Sequence, residues 1–157
     1  VRNRPSGGAA VLPACSGCRL MSTVAAPRAA VLAPLRDWLR TKSTAAGARV
    51  YAHGLPAEPT LPAVSLTKVG TSADGTVTER TLIQADCWAA RGQAAAAEAL
   101  AAQVKTAFEQ VVPGTQCGTS TVYLMGAQIE GEVALPDPDD GTPRYSVTAL
   151  VVTKVTA

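Results

Sequence analysis

The sequence predicts an α+β domain, a mainly antiparallel or mixed sheet of about five strands with two helices packed on one face, in the order α-β-β-β-α-β-β. Three observations lead there. Two segments repeat apolar residues with the helical period, several shorter ones are rich in β-branched residues, and the strands come in consecutive groups. Grouped strands pair antiparallel and leave the helices to one side, whereas strict alternation with helices would build a doubly wound parallel sheet. A chain of 157 residues is sufficient for one domain. It buries roughly two thirds of its unfolded surface and needs no disulfide or metal staple.

The first predicted element is a helix over residues 25–41, in which Val31, Leu35, Trp38 and Leu39 form the apolar stripe. Pro34 sits inside this pattern, so the helix either kinks there or effectively begins there, with proline in its first turn. Strands are expected at 49–53, 63–69 and 77–89, the first two separated by a connection holding Pro56, Pro59 and Pro62. Residues 70–75, with Gly70, Asp74 and Gly75, read as the turn of a hairpin. The clearest helix is 93–112, with Ala97, Leu100, Ala101, Val104, Phe108 and Val111 on one stripe and Pro113-Gly114 as its stop. A strand over 120–135, open to interruption at Gly126 or Gly131, leads through a proline–aspartate loop to the last strand, 144–155.

Residues 1–21 lie apart from this pattern. Pro5, Gly7, Gly8, Pro13 and Gly17 interrupt any period, and the segment reads as a flexible arm preceding a single domain over 22–157. Leu12-Pro13-Ala14-Cys15 resembles a lipobox, but the apolar run before it is too short for a signal peptide. Cys15 and Cys18 form a CxxC pair without the two further ligands that zinc requires. The reading preferred here is upstream sequence read from an early Val start codon, with Met21 beginning the functional protein.

Composition excludes several classes of function. Hydrophobic residues make up 47% of the chain, too many for disorder throughout, and no run approaches the ~20 apolar residues that span a bilayer. A net charge of +2 is too small to argue for nucleic-acid binding. Divided at residue 49, however, the chain carries eight basic residues against Asp37 alone, then six basic against eleven acidic. Oppositely charged parts suit contact with an acidic partner or with further copies of the same subunit.

Signals for catalysis are few. His53 is the single histidine, which forbids a multi-histidine metal site and leaves Cys87 with His53 as the one conceivable nucleophile and base. No glycine-rich phosphate loop occurs. Asp137, Asp139 and Asp140 lack the spacing and closing glutamate of a calcium loop and read as a solvated acidic turn. No catalytic residue, metal site or cofactor is expected.

The order of parts from Met21 to Val155 resembles the tail terminator proteins of long-tailed bacteriophages. The resemblance rests on the early amphipathic helix ending near Leu39, on Leu61-Pro62-Ala63-Val64 leading into a strand, and on Asp86-Cys87-Trp88-Ala89 closing one. It rests equally on the Ala-rich helix from Gln93 and on Leu135-Pro136-Asp137-Pro138-Asp139 leading through Pro143-Arg144-Tyr145 into the closing strand. Abundant Ala, Gly, Val and Arg with a single Asn and two Ile also fit a GC-rich genome, as in phages of actinobacteria.

The resemblance implies a structural virion protein, assembled in the host cytoplasm and placed at the head–tail junction. It implies a homohexameric ring that caps the tail tube protein, stops tube growth and meets a head-completion (stopper) protein. Double-stranded DNA would pass through its channel without specific binding, and no membrane is involved. A different neck or head–tail connector component is the alternative, and a thiol enzyme using Cys87 and His53 a remote one. The residues expected at subunit and partner interfaces are Arg36 and Arg40 on the first helix, Gly70, Asp74 and Gly75 in the hairpin, and Asp137, Asp139, Asp140, Arg144 and Tyr145 around the last loop.

Overall fold

The computed structural model describes residues 30–73, 78–137 and 141–155. They form α1 (Leu32–Arg40), β1 (Val50–Ala52), β2 (Ala63–Ala73), β3 (Thr78–Trp88), α2 (Ala94–Glu109), β4 (Thr115–Gln116), β5 (Val122–Ala134) and β6 (Arg144–Val155). The strands make one six-stranded sheet in the order β1-β2-β3-β6-β5-β4. Only β1 and β2 run parallel. The predicted α+β class holds, with β4 as a sixth strand that is too short to show a period in the sequence.

The helical stripe of α1 is as expected, with Val31, Leu35, Trp38 and Leu39 all buried. Its start is later, at Leu32, which places Pro34 in the first turn, where a missing N–H breaks no helical bond. At the other end the Arg40 guanidinium donates twice to the Val50 carbonyl, at 3.1 and 2.8 Å, and fastens the helix to the start of β1. β1 is stopped by His53 and Gly54, whose φ angles of 66° and 105° turn the chain out of the sheet. α2 ends at Glu109, a few residues short of the expected 112, as Val111 N–H reaches back only to Phe108.

Register explains how the long strands keep one apolar face. In β5 the pairing slips between Leu124 and Gly126 and again between Ile129 and Gly131, leaving Met125 and Glu130 as extra residues. Each bulge shifts the alternation by one. Leu124, Ala127 and Ile129 can therefore all point to the helix side, where they meet Val151 and Ala149 of β6 and the buried Leu100, Val104 and Phe108 of α2. The glycines flagged in the sequence thus mark bulges within a continuous strand. Gly70 does the same in β2, where the slip between Lys68 and Gly70 leaves Val69 extra. The expected turn at 70–75 is corrected accordingly: Gly70 belongs to a strand that continues to Ala73.

Both helices cover the same face. Val64, Leu66, Ile83, Ala85, Cys87, Val147, Ala149 and Val151 are buried beneath them, and the Trp38 and Phe108 rings meet at 5.7 Å between centroids. Side chains such as these stabilise by roughly 1.5–3 kcal/mol each when fully buried. The intervening residues Thr67, Leu82, Gln84, Thr148, Leu150 and Val152 are half-buried or exposed on the open face.

Candidate functional site

At one end of the open face the sheet carries a polar cluster. The register sets Ser65 opposite Asp86, Asp86 opposite Ser146 and Trp88 opposite Arg144. Gln84, Asp86 and Trp88 follow one another at two-residue spacing along β3 and so share this face. The Trp88 indole N–H donates to Ser65 Oγ at 3.2 Å, and Gln84 Nε2 donates to Asp86 Oδ1 at 3.0 Å. Arg144 joins the parts: its guanidinium lies 4.9 Å from the Trp88 ring centre, Nη1 stands 3.9 Å from Asp86 Oδ2, and Nε donates to the Leu135 carbonyl at 2.9 Å.

Two connections rise around this cluster and enclose a cleft of about 540 Å³. The proline-rich segment 54–61 forms one wall, Asp137 and Thr142 the other, and Ser65, Thr67, Asp86 and Trp88 the floor. The second wall is held by a short ladder, Leu135 N–H to Arg144 O, Asp137 N–H to Thr142 O and Gly141 N–H to Asp137 O. Among the described residues that line the cleft the charged ones are Asp86, which faces Arg144 at 3.9 Å, and Asp137. Such a recess can seat a polar or cationic side chain of a partner.

The structure brings Asp137 and Arg144 together here and separates them from the other expected interface residues. Tyr145 lies half-buried on the opposite face, packed against the core, because neighbouring strand residues point to opposite sides. Gly70 is in β2 toward the far end, where Ala73, Glu79 and Thr153 lie side by side. Asp74, Gly75, Asp139 and Asp140 are outside the described residues, as are Cys15 and Cys18. Arg36 donates from Nε to its neighbour Asp37 at 2.8 Å, and Arg40 is engaged by Val50 O. The cluster of Gln84, Ser65 and Trp88 was not singled out from sequence. Part of its signal is there, Gln84, Asp86 and Trp88 alternating along β3 with the buried Ala85 and Cys87.

Cys87 is buried with its thiol toward the Ala85 carbonyl, 4.0 Å away. Desolvation, and then the charges of Asp86 and Glu132, push its ionisation far above the ordinary thiol range, which is the reverse of an activated nucleophile. His53 is exposed at the end of β1. Among the described residues no three His, Cys, Asp or Glu side chains gather as a metal ion would require, and no helix is long and apolar enough to cross a membrane.

The family of tail completion protein gp17 matches residues 29–154, from the lead-in to α1 almost to the end of β6. The chain belongs to that family. It is a virion tail-completion protein of the phage tail terminator group. A chain in the virion of a native gene transfer agent (GTA) particle has the same fold, with a TM-score of 0.58 at 20% identity over 80% of this chain and 99% of that one. No match is found among curated proteins. The matched region contains the cleft, both of its walls and the hairpin between β2 and β3.

Proposed function

We propose that this member of the tail completion family is the tail terminator itself: a ring, hexameric by resemblance, that caps the last ring of tail tube protein, stops polymerisation and presents its other side to a head-completion protein at the head–tail junction. The observation that carries this reading is the placement of the two candidate loops. Residues 63, 88 and 144 lie abreast at one end of the sheet, and residues 73, 79 and 153 at the other. The β5–β6 connection and the β2–β3 hairpin tip therefore leave the sheet at opposite ends, roughly 33 Å apart for strands of this length. A subunit that must bind tube on one side and neck on the other needs two such separated surfaces. Asp137 and Arg144, with Asp139 and Asp140, serve one side; Gly70, Asp74 and Gly75 serve the other.

The test is a phage or particle in which the gene is inactivated and then supplied in trans. Tails of uncontrolled length that fail to join heads are expected without the protein, and tails of uniform length with it. Normal tail length in its absence would defeat the reading. Replacement of Asp137 or of Asp74 alone is expected to uncouple the two contacts, leaving one of tube capping and head joining intact in each variant.

A further inference from the structure

Among the described residues both edges of the sheet are left largely unpaired. β1 covers β2 only at Val64, Ser65 and Leu66, so the outer edge of β2 over 67–73 faces no strand among the described residues. β4 covers β5 only at Tyr123 and Leu124, so the outer edge of β5 over 126–134 likewise faces no strand among the described residues. Natural proteins blunt long edges of this kind with short strands, charge or a covering segment, since free N–H and C=O groups are a template for another strand. Here the edges also carry apolar groups. Of the large hydrophobic side chains left exposed, Val69 at 55% lies on the free edge of β2, Val133 at 49% on that of β5, and Leu135 at 37% directly after it.

Strand direction and charge select the partner. β2 and β6 run one way, β3 and β5 the other. A second copy placed beside the first by rotation about an axis along the strands sets its β2 against β5 in antiparallel sense, so the alternation continues without a break. Glu130 stands on the β5 edge beside Glu132, which lies 3.9 Å from Lys105, and Lys68 stands on the β2 edge, where its pairing with Glu79 at 3.2 Å leaves the ammonium group 37% exposed and able to accept a second carboxylate. Two β5 edges would oppose carboxylates to carboxylates, whereas β5 against β2 opposes them to an ammonium group.

We propose that the free edge of β5, residues 126–134, in one copy pairs antiparallel with the free edge of β2, residues 67–73, in the next, joining successive sheets into one continuous belt. The contact is heterologous: every copy added leaves one edge of each kind open until a ring closes. The inference deepens the ring reading above and rests on it.

The experiment uses the full chain and two substitutions at exposed positions, Val69→Asp, which opposes Glu130 and Glu132, and Val133→Lys, which opposes Lys68. Circular dichroism and thermal melts check that each variant folds, and mass photometry reads assembly with and without tail tubes. The wild type is expected to form rings, with amide exchange slowed at 67–73 and 126–134. Each variant alone is expected to remain monomeric. An equimolar mixture is expected to assemble again, because the intact β5 edge of one fits the intact β2 edge of the other and the two substituted edges bring opposite charges together. Rings from either variant alone, or edges left unprotected in wild-type rings, overturn the edge pairing and leave the ring reading standing. Dimers of Val69→Asp alone show β5–β5 contact and overturn the pairing as well. A wild type that is monomeric even on tail tubes overturns both.

Discussion

Replacing Arg144 with alanine tests whether the polar cluster is a built unit. Three contacts are lost together. The hydrogen bond from Nε to Leu135 O closes the β5–β6 hairpin, the guanidinium lies over Trp88, and Nη1 faces Asp86. A hydrogen bond from a charged donor is worth ~1.5–3 kcal/mol, taken at its lower limit here because the contact is exposed, and an exposed cation–π contact ~0.5–1 kcal/mol. Breaking a buried ion pair costs ~3–5 kcal/mol. That figure is heavily discounted, because the Arg144 side chain is 26% exposed and the separation of 3.9 Å is long, although Asp86 is only 9% exposed. The expected destabilisation is about 2–3 kcal/mol, a fall in Tm of roughly 4–12 °C for a domain of this size. Urea denaturation of wild type, Arg144→Ala, Asp86→Asn and the double variant forms a thermodynamic cycle. A coupling of about 1 kcal/mol between the two positions is expected, since Asp86→Asn removes the charge that Arg144 answers. Arg144→Lys should recover only part of the loss, because an ammonium group lacks the planar fork that stacks and bonds at once. Additivity within experimental error, or an Arg144→Ala variant as stable as the wild type, would refute the reasoning.

Phe108→Ala removes the largest fully buried side chain and its contact with Trp38. A loss of about 3–5 kcal/mol is expected, read by urea titration together with a shift in tryptophan emission. The thiols of Cys87 and Cys117 should resist alkylation in the native state, which peptide mass spectrometry after iodoacetamide treatment reads. Burial raises Cys117 to about 11, so the unfolded thiol ionises first and stability should fall as pH rises from about 9 toward 11, being fully present below 9. The fall should be shallower in Cys117→Ala than in wild type. An equal slope would show that this thiol contributes nothing.

Local pattern made both helices legible, because their stripes of Leu35, Trp38 and Leu39 and of Leu100, Val104 and Phe108 are what the core requires. The five long or well-marked strands were legible for the same reason. β4 was not, since Thr115–Gln116 is held by its partner across the ladder and not by any period of its own. Gly126 and Gly131 were visible as irregularities, yet whether a glycine ends a strand or follows a bulge depends on the register of the neighbour, which is a tertiary fact. The same holds for the site. Asp137 and Arg144 were reachable from the loop they flank, whereas Ser65 and Gln84 gain meaning only when β2 and β6 lie on either side of Trp88 and Asp86. Tyr145, by a single step of strand alternation, lies on the core side and not beside Arg144 on the open face.

The charge division at residue 49 also changes meaning once the side chains are placed. Arg36 and Arg40 face Asp37, Lys42 lies 4.9 Å from the Trp38 ring centre, and Arg49 donates to the Pro62 and Ala45 carbonyls. Farther along, Lys68 meets Glu79 and Lys105 meets Glu132. These cations are occupied in holding the subunit together and offer little to phosphate. What remains of the basic excess is Arg2, Arg4, Arg19 and Arg28, four residues with no acid among the first 29. Apart from the scattered exposed cations Arg91 and Lys154, that segment holds the clustered basic charge, and any affinity for duplex DNA should belong chiefly to it. Counterion release from four contacts gives a log–log salt slope no steeper than about −4. Retention of DNA on filters should decline between 50 and 200 mM salt on roughly that slope, and vanish in the full chain carrying Arg2→Gln, Arg4→Gln, Arg19→Gln and Arg28→Gln. A steeper slope, or undiminished binding by the substituted chain, would place a DNA-binding surface on the folded domain and refute this assignment.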